Sequence, residues 1–213
     1  MYDIILFDFD GTVYDTLEGI TKSVQYALNK QGIEAELKDL RCFAGPPLLD
    51  MFMEKYEFSE ETAEKAVLDF RERYKPIGIY ESRVFPGIPE LLKKLKDRGK
   101  ILGIATSKPQ IMAEQLLEKE GIIEYFDAVC GSSPNGNNNS KREVLSCALK
   151  KLRKNNESAV LVGDTKYDVL GAHQCGVPCI GVEYGYGAEG ELLKAGADII
   201  AEDMDKLLEI LIK

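Results

Sequence analysis

Short apolar runs that resemble β-strands alternate with helical patterns along most of the chain. The predicted strands are residues 2–7, 100–105, 159–162, 178–182 and 198–200. The predicted helices are residues 87–98, 109–120, 141–154, 168–174 and 204–212. This alternation favours a parallel sheet, because each connection between parallel strands needs a crossover, usually a helix. We therefore predict an α/β fold: an open, parallel, Rossmann-like sheet with helices on both faces.

One region interrupts the alternation. Between residues 16 and 82 the sequence contains no convincing strand, and its helical patterns cover residues 20–30, 48–55 and 60–74. A chain of 213 residues is long enough for one core domain and a smaller insert. We expect a core made of residues 1–15 and 83–213, with residues 16–82 forming a small all-helical domain inserted after the first strand.

Composition restricts the partners of the chain. The formal net charge is -9 and the isoelectric point is about 4.9, which argues against binding a nucleic acid polymer. A small phosphorylated metabolite stays compatible, since one lysine and a metal ion can outweigh the acidic excess locally. We expect no membrane span and no signal peptide. The five cysteines are scattered without a disulfide framework, so we expect reduced thiols and a cytoplasmic location.

The strongest chemical signal is the segment Asp8-Phe9-Asp10-Gly11-Thr12 at the end of the first predicted strand. Side chains alternate along a strand, so Asp8 and Asp10 point to one side and Phe9 to the other. Two carboxylates in this arrangement repel each other unless a cation or a proton lies between them. The alternative interpretation is a simple strand-end turn, because Asp-Gly is a common turn dipeptide.

Two other strands end in polar residues, and a lysine precedes a helix. Asp164 and Asp168 follow the strand at 159–162, although each could merely cap or charge the start of a helix. Thr106 and Ser107 follow the strand at 100–105, where hydroxyls and free amides can cradle a phosphate or simply cap a helix. Lys141 follows a polar loop, residues 132–140, and precedes the next predicted helix.

These residues indicate a binding site because all of them are predicted to lie at the same edge of the sheet. Ligands of open α/β sheets bind outside the carboxyl ends of the strands, and three predicted strands deliver polar groups to that edge. The acidic residues Asp8, Asp10 and Asp164 converge there without enough cationic side chains to balance them. Hard oxygen ligands favour magnesium over zinc, so we expect a Mg²⁺ site.

The sequence resembles the haloacid dehalogenase-like phosphohydrolases, over essentially the whole chain. The segments that resemble the four family motifs are residues 8–12, Thr106, Lys141, and Gly163-Asp164 with Asp168. The branch that it resembles contains phosphoglycolate phosphatases and nucleotidase-like proteins. The segments that carry this likeness are Phe85-Pro86-Gly87, Gly45-Pro46-Pro47-Leu48 and Gly185-Tyr186-Gly187. The helical insert resembles the small cap domain of the family.

The resemblance and the chemistry imply the same catalytic roles. Asp8 is expected to be the nucleophile that forms an aspartyl-phosphate. Asp10 is expected to protonate the leaving group and later to deprotonate water. The side chains of Asp8 and Asp164, with the backbone carbonyl of Asp10, are expected to hold magnesium.

The remaining motif residues are expected to bind the phosphate group. Thr106, Ser107 and Lys141 are predicted to contact its oxygens, and Asp168 is predicted to orient Lys141 or a metal-bound water. Closure of the cap is expected to exclude water and to select the substrate.

The predicted function is therefore that of a magnesium-dependent phosphatase. Its substrate is a small phosphorylated metabolite, which can be phosphoglycolate-like, a sugar phosphate or a nucleoside monophosphate. A phosphomutase of the same fold and a non-catalytic binding or regulatory protein remain as alternatives. A dehalogenase is disfavoured, since a halide leaving group needs no proton and that branch typically lacks a counterpart of Asp10.

Overall fold

The computed structural model describes residues 2–133, 140–152 and 158–212. Contacts divide the chain into two compact units. Unit 1 comprises Met1–Val13 and Val84–Lys213, and unit 2 comprises Tyr14–Arg83. The strands are β1 (Ile4–Phe7), β2 (Tyr14–Asp15), β3 (Arg83–Val84), β4 (Ile101–Pro109), β5 (Ala128–Ser132), β6 (Ala159–Gly163), β7 (Cys179–Val182) and β8 (Ile199–Ala201). The α-helices are α1 (Leu17–Lys30), α2 (Leu48–Tyr56), α3 (Glu60–Tyr74), α4 (Ile88–Asp97), α5 (Gln110–Lys119), α6 (Lys141–Leu152), α7 (Lys166–Gln174), α8 (Glu191–Ala195) and α9 (Met204–Ile212).

Unit 1 is built on a six-stranded sheet in the order β5-β4-β1-β6-β7-β8. Every neighbouring pair in this sheet is parallel. Strands β2 and β3 form a separate two-stranded sheet. The predicted α/β fold with a parallel sheet is confirmed, and its central strand is β1, the first strand of the chain.

The sheet is buried on both faces. Ile4 and Leu6 of β1 belong to a core cluster that also contains buried residues of α6 and α7, such as Val144 and Val169. The alternate residues Ile5 and Phe7 are fully buried as well, and they point to the opposite face because successive side chains of a strand alternate. This explains why the strands are almost continuously apolar in sequence instead of alternating with polar residues.

Strand β5 and helix α8 were not predicted from the sequence, and neither were the two-residue strands β2 and β3. Strand β5 was missed because its single apolar pair, Ala128-Val129, is followed at once by Cys130-Gly131-Ser132. Helix α8 is only five residues long, which is too short for a periodic pattern. Of the polar loop predicted at 132–140, residues 134–139 lie outside the described residues, as do residues 153–154 of the helix predicted at 141–154.

Strand β4 is longer than predicted, which matters for the site. It continues past Ala105 to Pro109, because its pairing with β5 resumes at Pro109↔Ser132 after an irregularity in register. Thr106 and Lys108 are buried along this extension, whereas Ser107 is exposed. The alternation places Thr106 and Lys108 on the same side of the strand.

Unit 2 is helical between its ends. Helices α1, α2 and α3, with short 3₁₀ segments at Leu37–Phe43 and Gly78–Tyr80, account for its regular structure, and no strand lies in residues 16–82, all of which are described. Helix α3 begins at an N-cap, Ser59, whose side chain accepts a hydrogen bond from Thr62 N. An aromatic cluster packs beside it, with the Phe43 and Phe52 ring centroids 5.0 Å apart.

Two further observations concern the described residues. Across the described residues, the helices are all too short or too polar to cross a membrane. All five cysteines are free thiols.

We expect substitutions in the buried core to lower stability far more than substitutions at the surface. Leu161 on β6 is fully buried, so Leu161→Ala should lower the free energy of unfolding by about 2–5 kcal/mol through lost burial and a cavity. Leu193, which is 70% exposed, is the matched control, and Leu193→Ala should change stability by less than about 0.5 kcal/mol. Urea unfolding of both variants provides the measurement. Equal losses in the two would contradict this account of the core.

Candidate active site

Strands β1 and β6 end at nearly the same level of the sheet, and β4 continues beside them to Pro109. Phe7, the last residue of β1, pairs with Ile104 on β4 and with Val162 on β6. The next residues along each strand therefore reach the carboxyl edge together. Asp8 is anchored there, since its backbone N–H donates a hydrogen bond to Val162 O at 2.8 Å.

Lys141 lies at the centre of this edge. Its Nζ atom lies 2.6 Å from Asp8 Oδ1 and 2.9 Å from Asp168 Oδ1, and it donates a hydrogen bond to Ala105 O at 3.1 Å. The side chain is buried. It passes close to α7 at Gly171, where an added Cβ would lie 2.5 Å from Lys141 Cγ. A larger residue at 171 would therefore displace the lysine.

Asp168 serves the helix and the site at once. Its Oδ2 atom accepts hydrogen bonds from Thr165 N at 3.0 Å and from Thr165 Oγ1 at 2.8 Å, which forms a capping box at the start of α7. Its Oδ1 atom faces Lys141. Both interpretations of Asp168 are therefore correct, because one oxygen caps the helix and the other contacts Lys141.

Asp164 is buried beside the same edge but is not the N-cap of α7, because that position belongs to Thr165. Its carboxylate accepts hydrogen bonds from Thr12 Oγ1 at 3.2 Å and from Tyr186 N at 2.8 Å. Gly11 lies against it in the left-handed region, with φ of 84°, and an added Cβ there would lie 2.1 Å from Asp164 Oδ2. Glycine is therefore required both by the backbone and by the space.

Asp10 has a partner that the sequence analysis missed. Lys108 Nζ lies 3.0 Å from Asp10 Oδ1 and 5.6 Å from the centroid of the Phe9 ring. The backbone N–H of Lys108 donates to Thr106 Oγ1 at 3.2 Å. The available signal was strand alternation: had β4 been extended beyond Ala105, Lys108 would have fallen on the side of Thr106.

The predicted site residues are thus brought together in two groups. One carboxylate oxygen each of Asp8, Asp164 and Asp168 lie within 4.8 Å of one another, whereas the carboxylate of Asp10 turns to Lys108. Two lysines accompany these acids but do not balance them, in agreement with the expectation of too few cationic side chains. Four carboxylates and two ammonium groups still leave these six side chains with a formal charge of -2.

Burial makes the negative charge of this group costly. Desolvation raises the pKa of Asp8 from its ordinary 3.8 to about 6; the Lys141 ammonium opposes that rise, and the Asp168 charge adds to it. Burial also raises the pKa of Asp164 well above its ordinary value, with further contributions from Asp168 and Asp8. A cation bound beside Asp8 and Asp164 would stabilise their ionised forms and so lower both pKa values.

Lys141 responds in the opposite way. Burial alone would lower the pKa of its ammonium group, but the charges of Asp168 and Asp8 outweigh this effect and raise the pKa above its ordinary 10.5. Lys141 is therefore a permanent cation at neutral pH.

The acidic cluster fits a hard divalent cation. Asp8 Oδ1 and Asp168 Oδ1 are buried and accept no hydrogen bond from the described residues, so their ion pairs with Lys141 leave lone pairs free. All the donors in the cluster are carboxylate oxygens, which suit Mg²⁺ better than Zn²⁺. The Oδ2 atom of Asp168 already accepts two hydrogen bonds from Thr165, and its Oδ1 atom contacts Lys141, so this carboxylate also serves the helix start and the lysine.

The chain is similar to known proteins over nearly its whole length. The profile of a family described as "Haloacid dehalogenase-like hydrolase" matches residues 5–182. A 5'-nucleotidase from Pseudomonas aeruginosa is 44% identical over 99% of this chain and 96% of its own. The tyrosine-protein kinase PtkA from Mycobacterium tuberculosis is 35% identical over 98% of this chain and 72% of its own. A phosphoglycolate phosphatase from Vibrio cholerae is 28% identical over 98% of this chain and 96% of its own.

A solved structure has nearly the same fold. The crystal structure of a predicted phosphatase from Clostridium acetobutylicum superposes with a TM-score of 0.95 and 44% sequence identity. The match covers 100% of this chain and 99% of that one.

The raised carboxyl pKa values predict how stability responds to magnesium. Metal binding requires ionised carboxylates, so protons compete with it below the pKa of Asp8 at about 6. At pH 7.5, Mg²⁺ about 100-fold above its Kd should stabilise the fold by about 2.7 kcal/mol, or roughly 5–10 °C in Tm. At pH 5 the shift should be at most about half as large.

Thermal unfolding with MgCl₂ or with NaCl of matched ionic strength measures this effect. Asp164→Asn is the matched variant, because it removes one candidate ligand and should shrink the Mg²⁺ shift at pH 7.5. Equal Mg²⁺ shifts at pH 5 and pH 7.5 would contradict a site built on Asp8 and Asp164.

Proposed function

Because the chain belongs to the haloacid dehalogenase-like hydrolase family and is a phosphoric monoester hydrolase, we propose that it hydrolyses a small phosphorylated metabolite through an aspartyl-phosphate on Asp8. The family match over residues 5–182 and the similar 5'-nucleotidase confirm the resemblance identified from the sequence motifs. The observation that carries the proposal is the contact of Lys141 Nζ with Asp8 Oδ1 at 2.6 Å, at the same sheet edge as Asp164 and Asp168.

Asp8 is the proposed nucleophile. A carboxylate oxygen of Asp8 forms a bond to phosphorus while the bond from phosphorus to the leaving oxygen breaks. Lys141 supports the ionised form of Asp8 that this step needs, because its ammonium opposes the effect of burial. Water then attacks the phosphorus, which frees Asp8 and releases inorganic phosphate.

Asp10 is the proposed proton carrier for both steps. Its protonated form gives a proton to the leaving oxygen in the first step, and the carboxylate that this leaves takes a proton from the attacking water in the second. Its carboxylate contacts Lys108 and is not part of the acidic cluster. This separation supports a role in proton transfer, with any metal contact made through the backbone carbonyl.

Mg²⁺ is the proposed cofactor, held by the side chains of Asp8 and Asp164 and by the backbone carbonyl of Asp10. When bound, it neutralises charge on the phosphoryl group. The formal charge of -2 on the six ionised side chains supports this assignment.

Lys141 and Thr106 are the proposed phosphate-binding residues. The Thr106 hydroxyl accepts a hydrogen bond from Lys108 N, which leaves its own O–H free to donate to a phosphate oxygen. Ser107 remains in the proposal as a further donor at the same strand end. Asp168 holds Lys141 in place through the 2.9 Å contact.

The proposed substrate is a phosphoglycolate-like compound, a sugar phosphate or a nucleoside monophosphate. Relatives named 5'-nucleotidase and phosphoglycolate phosphatase support this range. We also propose that residues 16–82 form the cap that selects the substrate, with residues 1–15 and 83–213 as the catalytic core. A cytoplasmic location is proposed, supported by the five free thiols.

A screen of phosphorylated metabolites with Mg²⁺ tests the proposal through release of inorganic phosphate. Isomer formation without phosphate release would indicate a phosphomutase. Binding without turnover of any substrate would indicate a non-catalytic protein.

Turnover should depend on the divalent cation. We expect excess chelator to abolish phosphate release and added Mg²⁺ to restore it, because the site keeps an unbalanced formal charge of -2 without a bound cation. Full activity in chelator, measured on metal-stripped protein, would rule out the proposed cofactor.

Substitutions at Asp8 and Asp10 should separate the two roles. Asp8→Asn should remove both turnover and the covalent intermediate. Asp10→Asn should keep the nucleophile and lose proton transfer, typically worth 10²–10⁴-fold or roughly 3–5 kcal/mol of barrier. An alkoxide leaving group needs that proton, whereas nitrophenolate does not.

Asp10→Asn should therefore show a burst of nitrophenolate from nitrophenyl phosphate, followed by a slow phase, because water still lacks its base. On an alkyl phosphate the first step itself should be slow. Rapid-mixing kinetics on both substrates measure the difference. Equal loss on both, with no burst, would assign Asp10 a structural or metal-binding role instead.

A further inference from the structure

We propose that Lys108 is a positioning residue, whose ammonium group holds the Asp10 carboxylate in the orientation that proton transfer needs. The inference rests on the proposed role of Asp10 and extends it to a residue outside the motif positions identified from sequence. It is carried by the 3.0 Å contact of Lys108 Nζ with Asp10 Oδ1.

The lysine is itself firmly held. Its side chain is only 4% exposed, compared with 18% for Asp10. Its backbone N–H is bonded to Thr106 Oγ1, and its ammonium group lies near the face of the buried Phe9 ring. A long, flexible side chain that is buried along its length loses its rotamer freedom on folding. The ammonium therefore presents a fixed point of attachment to Asp10.

The two buried lysines of the site, Lys141 and Lys108, form ion pairs with different carboxylates. Lys141 contacts Asp8 and Asp168, inside the acidic cluster, while Lys108 contacts Asp10, outside it. Among the described residues, Lys108 is the cation that contacts the Asp10 carboxylate, so its removal takes away the ion pair that holds Asp10 apart from the acidic cluster. Fixing a reacting group before the reaction saves the cost of orienting it, and misplacement by about 1 Å can cost roughly 10²-fold in rate.

A merely structural role predicts a different pattern. Burying an ion pair contributes little net stability, because desolvation offsets the attraction. Lys100 offers a matched comparison within unit 1: it is equally buried, it precedes β4 at the opposite end from Lys108, and it pairs with Asp3 at 3.6 Å. Lys100→Met removes the same charge from the same strand, but far from Asp10.

The test is a double-mutant cycle on the full chain with Mg²⁺, using Lys108→Met, Asp10→Asn and the double variant. Each protein is assayed on an alkyl phosphate substrate and for the nitrophenolate burst. Lys108→Met should slow the alkyl phosphate reaction roughly 10–100-fold, while the first-turnover rate of nitrophenolate release stays near that of the unmodified protein. In the Asp10→Asn background it should cost less than about 2-fold, since residues that act as a unit are non-additive.

Two further variants complete the design. Lys108→Arg should restore most of the alkyl phosphate rate, and Lys100→Met should leave the ratio of the two substrate rates unchanged. That ratio does not depend on the fraction of folded protein, so partial unfolding of a variant does not obscure the result.

Two outcomes would overturn the inference alone. One is an equal cost of Lys108→Met with and without the Asp10 carboxylate. The other is a raised KM with unchanged kcat, which would make Lys108 a substrate contact. If Asp10→Asn by itself shows no dependence on the leaving group, the proposed role of Asp10 fails and the inference fails with it. The Asp10→Asn variant therefore distinguishes failure of the inference alone from failure of the proposed role of Asp10.

Discussion

The ion pairs of Lys141 are the interaction on which the rest of the site depends. One buried ammonium lies within 2.9 Å of both Asp8 and Asp168, and these charges keep its own pKa raised despite burial. Removal of Lys141 would leave two buried carboxylates without their cation, which is strongly destabilising. The same contacts link β1, α6 and α7, so the site and the packing of these elements are coupled.

The parallel sheet makes this arrangement possible. All six strands of the main sheet point the same way, and the register places Ile104 of β4 and Val162 of β6 beside Phe7, the last residue of β1. Helix starts then follow the strands, which brings Lys141 and Asp168 to the same edge. The glycines at 11 and 171 remove side-chain volume where the closest approaches occur. A dense set of charges is thus assembled from segments far apart in sequence.

The excess of negative charge in the site explains how its carboxylates can take part in catalysis. Burial raises the pKa values of Asp8 and Asp164, so these residues bind protons or cations in preference to standing ionised and alone. A divalent cation satisfies them and leaves Asp8 ionised for nucleophilic attack. Asp10, held by Lys108, belongs to a separate ion pair. Two carboxylates only two residues apart are thereby suited to different roles.

Sequence alone determined the α/β class, the helical stretch between residues 16 and 82, and the strand-end positions of Asp8 and Asp164, because periodicity and turn chemistry are local properties. Tertiary structure decided what local patterns do not encode. Strand β5 is stabilised by its neighbour β4 more than by its own apolar content. Lys108 is one of 27 basic residues, and only the extension of β4 through pairing with β5 brings it to Asp10, since that pairing depends on residues more than twenty positions away in sequence.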